Sequence, residues 1–197
     1  TKEFAVNPKF EVRIGVGPNV TIKPPRMTLA VDGSGLVTGT LNQPNARLDL
    51  RVTRGFLMLG ASVLRVVPGG MIELAYVSPA TPSLVLRDFQ ATTMVTATSP
   101  TGRRERYQVT LQVSGPVDRM RINLTSSPPG LTREQMLAAL GHVEGLFETA
   151  EGTFQQELAS VLTAVGTGAL FAPVEQLFIE RLGFEQFTLE YSAATPL

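Results

Sequence analysis

The sequence predicts a mainly β protein with C-terminal helices, an α+β chain in which a long antiparallel sheet comes first. Segments in which apolar and polar residues alternate fill residues 1–130, and turn-forming Pro and Gly residues separate them. These turns recur at intervals of about 8–12 residues, as in continuous antiparallel sheets. Helical spacing of apolar residues begins only after residue 130. No helical period interrupts the strands, which disfavours a parallel α/β sheet.

Each predicted strand has one apolar face and one polar face. The apolar residues that we expect on the inner face are Val12, Ile14, Val16, Leu48, Leu50, Val52, Ile72, Leu74, Tyr76, Val109, Leu111, Val113, Ile122 and Leu124. The predicted turns are Asp32-Gly33, Pro68-Gly69-Gly70, Pro100-Thr101-Gly102 and Ser114-Gly115-Pro116. This rhythm fits a sandwich, a barrel or a bent open sheet.

The helical segment begins at a recognisable signal. Thr132 and Gln135 have the spacing of a capping box, in which each side chain bonds the other residue's backbone N–H. Apolar residues then recur at helical spacing, first to Phe147, next over residues 154–165 and finally over residues 174–182. We therefore divide the chain into a sheet (1–130), a helical segment (131–183) that packs against or caps it, and a returning strand with a tail (184–197).

The charge is balanced overall but not along the chain. The 17 basic and 17 acidic residues cancel, which argues against a nucleic-acid binder with a broad basic surface. Residues 1–130 contain 15 basic and 8 acidic side chains, a net charge of +7, whereas residues 131–197 contain 2 and 9, a net charge of −7. Opposite charges favour packing of the helices on the sheet, or steering of the basic sheet toward membrane headgroups.

The residues that could carry out catalysis are few. The chain has no Cys and a single His, His142, so it can form neither a thiol nucleophile nor a metal site with several His ligands. Glu144, Glu148 and Glu151 share one helix face, which is typical of a solvated surface rather than of a metal site. We therefore predict no enzyme, no catalytic residue, no metal and no cofactor.

One basic cluster lies on a predicted hairpin tip. Arg103, Arg104 and Arg106 follow the turn at Pro100-Thr101-Gly102. A solvated turn explains them adequately, and contact with an anionic headgroup or a partner is the functional alternative.

The inner apolar face also has two interpretations. If the sheet curls without closing, its side chains line a trough suited to acyl chains, because each buried CH₂ gains about 0.8 kcal/mol without specific hydrogen bonds. From the alternation alone, an ordinary sandwich core or a face covered by the helices is the favoured interpretation.

The order of several short segments resembles the C-terminal domain of the TamB family, a branch of the AsmA-like envelope proteins. The most specific marker is a glycine-led strand end, Val113-Ser114-Gly115-Pro116, followed by Leu124-Thr125-Ser126-Ser127-Pro128-Pro129 and a helix from Leu131. Further matching segments are Val12-Arg13-Ile14, Leu29-Ala30-Val31-Asp32-Gly33, Leu36-Val37-Thr38-Gly39-Thr40-Leu41, Arg54-Gly55-Phe56, Pro68-Gly69-Gly70-Met71-Ile72, Pro82-Ser83-Leu84 and Arg181-Leu182-Gly183-Phe184-Glu185-Gln186-Phe187. The resemblance covers about residues 10–191.

The resemblance implies an open β-taco, a half-pipe whose concave side is apolar, within a long periplasmic protein anchored in the inner membrane. It implies bridge-like transport of phospholipid acyl chains between the two membranes, with membrane contact through regions outside this chain. It also implies assistance to outer-membrane protein assembly through a TamA-like barrel partner. We expect the chain to be one domain of a longer protein, and the family supplies no catalytic residue.

A function of another class competes with the conduit. In this alternative the chain is a docking module, whose exposed strand edges and helices from Thr132 to Gly183 bind the outer-membrane barrel by β-augmentation. A complex that persists when the trough is blocked would distinguish it from the conduit.

Overall fold

The computed structural model describes residues 7–40, 42–80, 82–99, 101–141 and 147–164. It is mostly β-sheet with short helices toward the C-terminus, which confirms the predicted fold class. The elements are β1 (Lys9–Ile22), β2 (Met27–Thr40), β3 (Pro44–Leu59), β4 (Ser62–Val66), β5 (Met71–Val77), β6 (Ser83–Thr98), β7 (Arg104–Pro116), a 3₁₀ turn (Val117–Arg119), β8 (Arg121–Ser127), α1 (Arg133–Ala139) and α2 (Phe147–Ala164).

All eight strands belong to one antiparallel sheet in which sequence neighbours are spatial neighbours. β4 and β5 lie one after the other between β3 and β6, so together they act as one interrupted strand. Among the described residues, β1 and β8 each pair with a single neighbour and form the two edges. The sheet is therefore an up-and-down meander from β1 to β8.

The connections define two ends of this sheet. At what we call the hairpin end, β1 joins β2, β3 joins β4 and β6 joins β7. At the far end, β2 joins β3, β5 joins β6 and β7 joins β8.

A line of irregularities crosses the sheet between these ends. The register shifts between Val16 and Val20 in β1, between Ala30 and Val31 where β2 meets β3, and between Leu86 and Phe89 in β6. The break between β4 and β5 lies in the same row, because Val52 exchanges backbone hydrogen bonds with Gly69 and Gly70. Bulges bend strands and increase their twist, so this row is a transverse crease that bends the sheet.

The core lies on one face of this sheet, which we call the apolar face. Alternate residues of β3 from Ala46 to Val52 are buried, and after the bulge at Thr53 the alternation resumes at Gly55. Helix α1 packs on β6 and β8, whereas α2 packs on β3, on the 3₁₀ turn and on α1. The core is thus a sheet face with helices laid over it.

The predicted turn at Asp32-Gly33 is wrong, because both residues lie inside β2. Gly33 pairs with Val16 on one side and with Leu50 on the other. A Cβ atom at residue 33 would overlap the Asp49 carbonyl oxygen, so the glycine permits a close approach of two strands rather than a chain reversal. Gly35 likewise lies within β2, where it pairs with Ile14 and with Leu48.

The other predicted turns agree better with the structure. Pro68-Gly69-Gly70 separates β4 from β5, and Thr101-Gly102 lies in the β6–β7 hairpin. Ser114-Gly115-Pro116 ends β7 and leads into the 3₁₀ turn. His142, the predicted helix over residues 174–182 and the returning strand after residue 184 lie outside the described residues.

Candidate functional site

The predicted inner residues all lie on the apolar face. Directly opposite residues of an antiparallel pair share a face, and the register connects Ile14 to Gly35, Gly35 to Leu48, and Leu48 to Leu74. Corresponding rows connect the remaining members across β5, β7 and β8. The structure therefore brings together on one continuous surface residues that are more than 100 positions apart in the chain.

The burial of these residues differs between the centre and the rim of the apolar face. At the centre, Leu50, Val52, Ile72, Val109 and Leu111 are 0% exposed, and Leu48, Leu74, Val113 and Leu124 are also buried. At the rim, side chains on the edge strands and at the far end are half-buried, namely Val12, Ile14, Val16, Tyr76 and Ile122. The rim along β1 consequently contains three of the five half-buried residues of the predicted set.

Small residues shape this face. A Cβ atom at Gly35 would lie 2.9 Å from Leu48 Cγ, so the leucine side chain extends across the neighbouring strand at that point. Gly55 is buried, and a Cβ atom there would lie 2.6 Å from Leu29 Cδ2. Glycine thus leaves room for long aliphatic side chains on the apolar face.

The helices cover part of the apolar face with side chains of their own. Leu137 and Leu140 follow the capping box, whose two reciprocal hydrogen bonds are both present as predicted. In α2, Phe154, Leu158 and Leu162 are 0% exposed. These residues recur at the helical period, so one stripe of α2 is buried in the core.

A polar junction fixes the helices at the hairpin end. The Glu157 carboxylate of α2 forms an ion pair with Arg26 and accepts a hydrogen bond of 3.2 Å from the Gly60 N–H. Arg26 also donates to the Gly60 carbonyl oxygen, at 3.4 Å. Gly60 has a φ of +54°, and a Cβ atom there would lie 2.7 Å from the Leu140 carbonyl oxygen. Only glycine allows this approach of the β3–β4 turn to the end of α1.

The predicted arginine cluster lies beside the β6–β7 hairpin, with Arg103 before β7 and both Arg104 and Arg106 within it. All three side chains are exposed. The turn is held by Ser99, whose hydroxyl lies 2.8 Å from the Thr101 hydroxyl and accepts a hydrogen bond from the Arg103 N–H. The cluster is therefore presented to solvent on a well-bonded turn.

Tyr107 anchors the same hairpin to the core. Its side chain is buried, and its hydroxyl lies 3.4 Å from Glu105 Oε2. Burial raises the pKa of the phenol above its usual value, and the negative charge of Glu105 raises it further. At the start of α1, the free backbone N–H groups and Thr132 lower the pKa of Glu134. Both shifts have structural causes and indicate no catalytic pair.

Two features of other functional classes, a group of metal ligands and a membrane-spanning helix, are not found in the described residues. Within that part of the chain, no three His, Asp or Glu side chains are grouped so that they could hold a metal ion. In the same part, no helix combines the length and the apolar character needed to cross a bilayer.

The sequence interpretation missed an exposed apolar surface on the opposite face of the sheet, which we call the outer face. Phe56, Met58, Val63 and Met94 are 50%, 46%, 52% and 53% exposed. The signal was present in the uninterrupted run Phe56-Leu57-Met58-Leu59, because such a run places apolar side chains on both faces of one strand.

Comparison with known proteins gives one family. A family model described as the TamB C-terminal domain matches residues 1–196, essentially the whole chain. No curated protein matched the chain.

Proposed function

Because the chain belongs to the TamB C-terminal domain family, whose members are envelope proteins of the translocation and assembly module, we propose that it is a segment of a lipid conduit. In this proposal its apolar face carries phospholipid acyl chains between the inner and outer membranes. The family is a non-enzymatic component of the envelope, so the proposed activity is the binding and passage of lipid rather than catalysis. We further propose that the chain is one domain of a longer periplasmic protein, anchored in the inner membrane outside this region.

The observation that supports the conduit most directly is the continuity of the apolar face. Its rows extend from Val12 on β1 to Leu124 on β8 and consist mainly of aliphatic side chains, with glycines at residues 33 and 35 of β2. An acyl chain on such a surface gains free energy with every buried CH₂, about 0.8 kcal/mol, and it needs no fixed hydrogen-bond partner. A surface of this kind holds lipid tails without selecting one position along the face, as transport requires.

The β1 rim is the proposed path into and out of the face. Val12, Ile14 and Val16 are half-buried, whereas the central residues of β3 are fully buried under neighbouring groups. An acyl chain that reaches the rim first meets these three side chains. In the proposal, α1 lies over the hairpin end, α2 reaches from the β3–β4 turn to the 3₁₀ turn at the far end, and both helices limit how far the lipid can travel beneath them.

A charge on the β1 rim should block the conduit. We expect Ile14→Asp in the full-length protein to stop phospholipid transfer, because an ionised carboxylate on the apolar face repels acyl chains and costs several kcal/mol to desolvate. The measurement is transfer of labelled phospholipid between the membranes of cells that depend on the variant. Photo-crosslinking from residue 14 should in parallel capture phospholipid from the wild-type protein.

The matched control is Leu36→Asp, which adds the same charge on the neighbouring strand. Leu36 is 38% exposed and lies opposite Arg13, on the outer face. Transfer should continue with this variant, and crosslinking from residue 36 should capture no acyl chain. Equal transfer by the two variants, with both proteins folded and present in equal amounts, would refute the conduit.

The second candidate function is docking to a TamA-like outer-membrane barrel. The edge strands β1 and β8, each paired on one side only among the described residues, favour it. A free strand edge offers backbone N–H and C=O groups to a partner strand. The apolar stripe of α2 is already buried in the core, so this function would depend on the edges more than on the helices.

The two functions predict opposite results for proline on an edge. Asn123→Pro on β8 removes a backbone donor and should abolish capture of the purified barrel if docking is the role, while Ile14→Asp should leave capture intact. Loss of lipid transfer with Ile14→Asp but normal capture with Asn123→Pro would assign the conduit role alone.

A further inference from the structure

Four exposed apolar side chains of the outer face lie together in one region near the hairpin end. Phe56 and Met58 of β3 extend away from the core, since their neighbours Leu57 and Leu59 are fully buried. Val63 of β4 lies opposite Met58, and Met94 of β6 lies one strand further on. Single exposed apolar residues are common, but a group of them on one face indicates an interaction surface.

The same region concentrates arginines without carboxylate partners. Toward the far end and near the crease, two outer-face arginines are paired, Arg51 with Asp32 at 3.1 Å and Arg87 with Glu73 at 2.7 Å, whereas Arg121 has no ion pair among the described residues. Near the hairpin end, Arg65, Arg104 and Arg106 form no ion pair with any residue that the structure describes. The hairpin end of the outer face is therefore cationic, whereas part of the positive charge toward the far end is neutralised by Asp32 and Glu73.

A concave depression joins the two features. It has a volume of about 510 Å³, and its lining includes Phe56, Val63, Met94 and the Arg65 side chain. Arg65 is the single charged residue in this lining among the described residues. A volume of this size is within the range of small-ligand sites, about 300–1,000 Å³. The depression thus combines apolar side chains with one guanidinium and with the polar side chains of Thr92, Thr93 and Gln108, a set of groups that suits a phosphate attached to a hydrocarbon.

We propose that this region, the membrane patch formed by Phe56, Met58, Val63, Arg65, Met94, Arg104 and Arg106, docks on the surface of an anionic phospholipid bilayer. The apolar side chains enter the headgroup region, Arg65 binds a lipid phosphate in the depression, and Arg104 and Arg106 bind neighbouring headgroups. Amphipathic surfaces bind anionic bilayers through this combination of apolar insertion and cationic attraction. The patch lies on the face opposite to the proposed conduit, so docking and lipid passage use different surfaces.

Flotation with vesicles tests the proposal. The purified 197-residue chain should float with vesicles of equal parts phosphatidylcholine and phosphatidylglycerol and remain unbound with phosphatidylcholine alone. The triple variant R65E/R104E/R106E should lower the partition coefficient at least about 100-fold, because each basic side chain near an anionic surface contributes on the order of fivefold. Added salt should weaken wild-type binding in the same way.

The control variant R13E/R47E/R121E makes the same change of net charge with exposed arginines of the far end. It should retain most of the binding, so a large loss with this variant would show a general charge effect and overturn the proposal.

The apolar component needs its own pair of variants. F56S/M94S should reduce flotation at least about tenfold, whereas L36S/V77S should leave it unchanged, although Leu36 and Val77 are also exposed apolar residues. Equal binding by the two variants would overturn the proposal.

The patch variants also distinguish the membrane from other occupants. A concentration-dependent dimer that F56S abolishes, with no flotation of the wild-type chain, would show that a second copy covers the patch and would overturn the proposal. Loss of flotation in R65E/R104E/R106E with lipid transfer intact would support it and separate docking from the conduit.

Discussion

At the scale of single residues, glycine determines how closely the strands of this sheet approach. Gly55 lies in β3 opposite Leu29, at a buried position where a larger neighbour fills the space. A side chain at residue 55 would meet both the Thr28 carbonyl oxygen and the Leu29 side chain. By contrast, a Cβ atom at Gly15 of β1 would have no atom within 4 Å. Two glycines of the same sheet therefore carry different structural constraints.

We predict that Gly55→Ala lowers the free energy of unfolding by about 1–3 kcal/mol, because the added methyl group overpacks a buried strand contact. Urea unfolding followed by circular dichroism measures it. Gly15→Ala is the control and should change stability by at most about 0.5 kcal/mol. Equal losses in the two variants would show that the Leu29 contact does not constrain residue 55.

At the scale of elements, local signals determine where the first helix starts. Thr132 accepts a hydrogen bond of 3.3 Å from the Gln135 N–H, and the Gln135 side chain accepts one of 2.9 Å from the Thr132 N–H. Two donors at the helix N-terminus are thereby satisfied. Leu131 precedes the cap and is buried, as are Met136 and Leu137 within the helix. The cap thus directs α1 onto the sheet as soon as β8 ends.

We predict that Thr132→Ala destabilises the protein by about 1 kcal/mol, because the hydroxyl acceptor is lost at the helix N-terminus. Thermal and urea unfolding measure the change. Thr132→Ser keeps the hydroxyl and should recover most of the stability. If the serine variant is as unstable as the alanine variant, the capping bond is not the cause.

At the scale of the whole molecule, a basic sheet is joined to an acidic C-terminal segment. One ion pair within the described residues joins the two parts. Glu157 of α2 lies beside Arg26 and the β3–β4 turn, and only 14% of its side chain is exposed. The ion pair connects α2 to two hairpins at once, because Arg26 also contacts the Gly60 carbonyl oxygen. This junction attaches the helices to the turns of the hairpin end.

We predict that Glu157→Ala loosens α2 without unfolding the sheet, because the Gly60 N–H and Arg26 both lose their acceptor, at a cost of about 1–3 kcal/mol. Hydrogen exchange of the α2 amides should become at least about fivefold faster, while exchange in β6 and β7 stays slow. Gln156→Ala, at an exposed position of the same helix, should leave these rates unchanged. Equal exchange in both variants would show that α2 is held by apolar contacts alone.

Much of the fold could be predicted because period and capping are local properties of the sequence. The alternation around Leu48 and Leu50 indicated a strand with one buried face, and Thr132 with Gln135 indicated the start of α1. The turn predicted at Asp32-Gly33 failed because a glycine that permits close strand approach has the same local composition as one that permits a reversal. Only the paired strand distinguishes the two cases.

The apolar face and the membrane patch also differ in how far local sequence patterns could predict them. Period-2 alternation in the sequence was enough to assign residues to the apolar face, because successive side chains of a strand point to opposite faces whatever the strand pairs with. It could not determine which of them are accessible, because the coverage of Leu50 and the exposure of Ile14 depend on strand order and on where α1 and α2 pack. Nor could it assemble Phe56, Arg65 and Arg106, which come from three strands of the outer face. The accessibility of the apolar face and the grouping of the arginines depend on the tertiary structure, because each arises from contacts between segments that are distant in the chain.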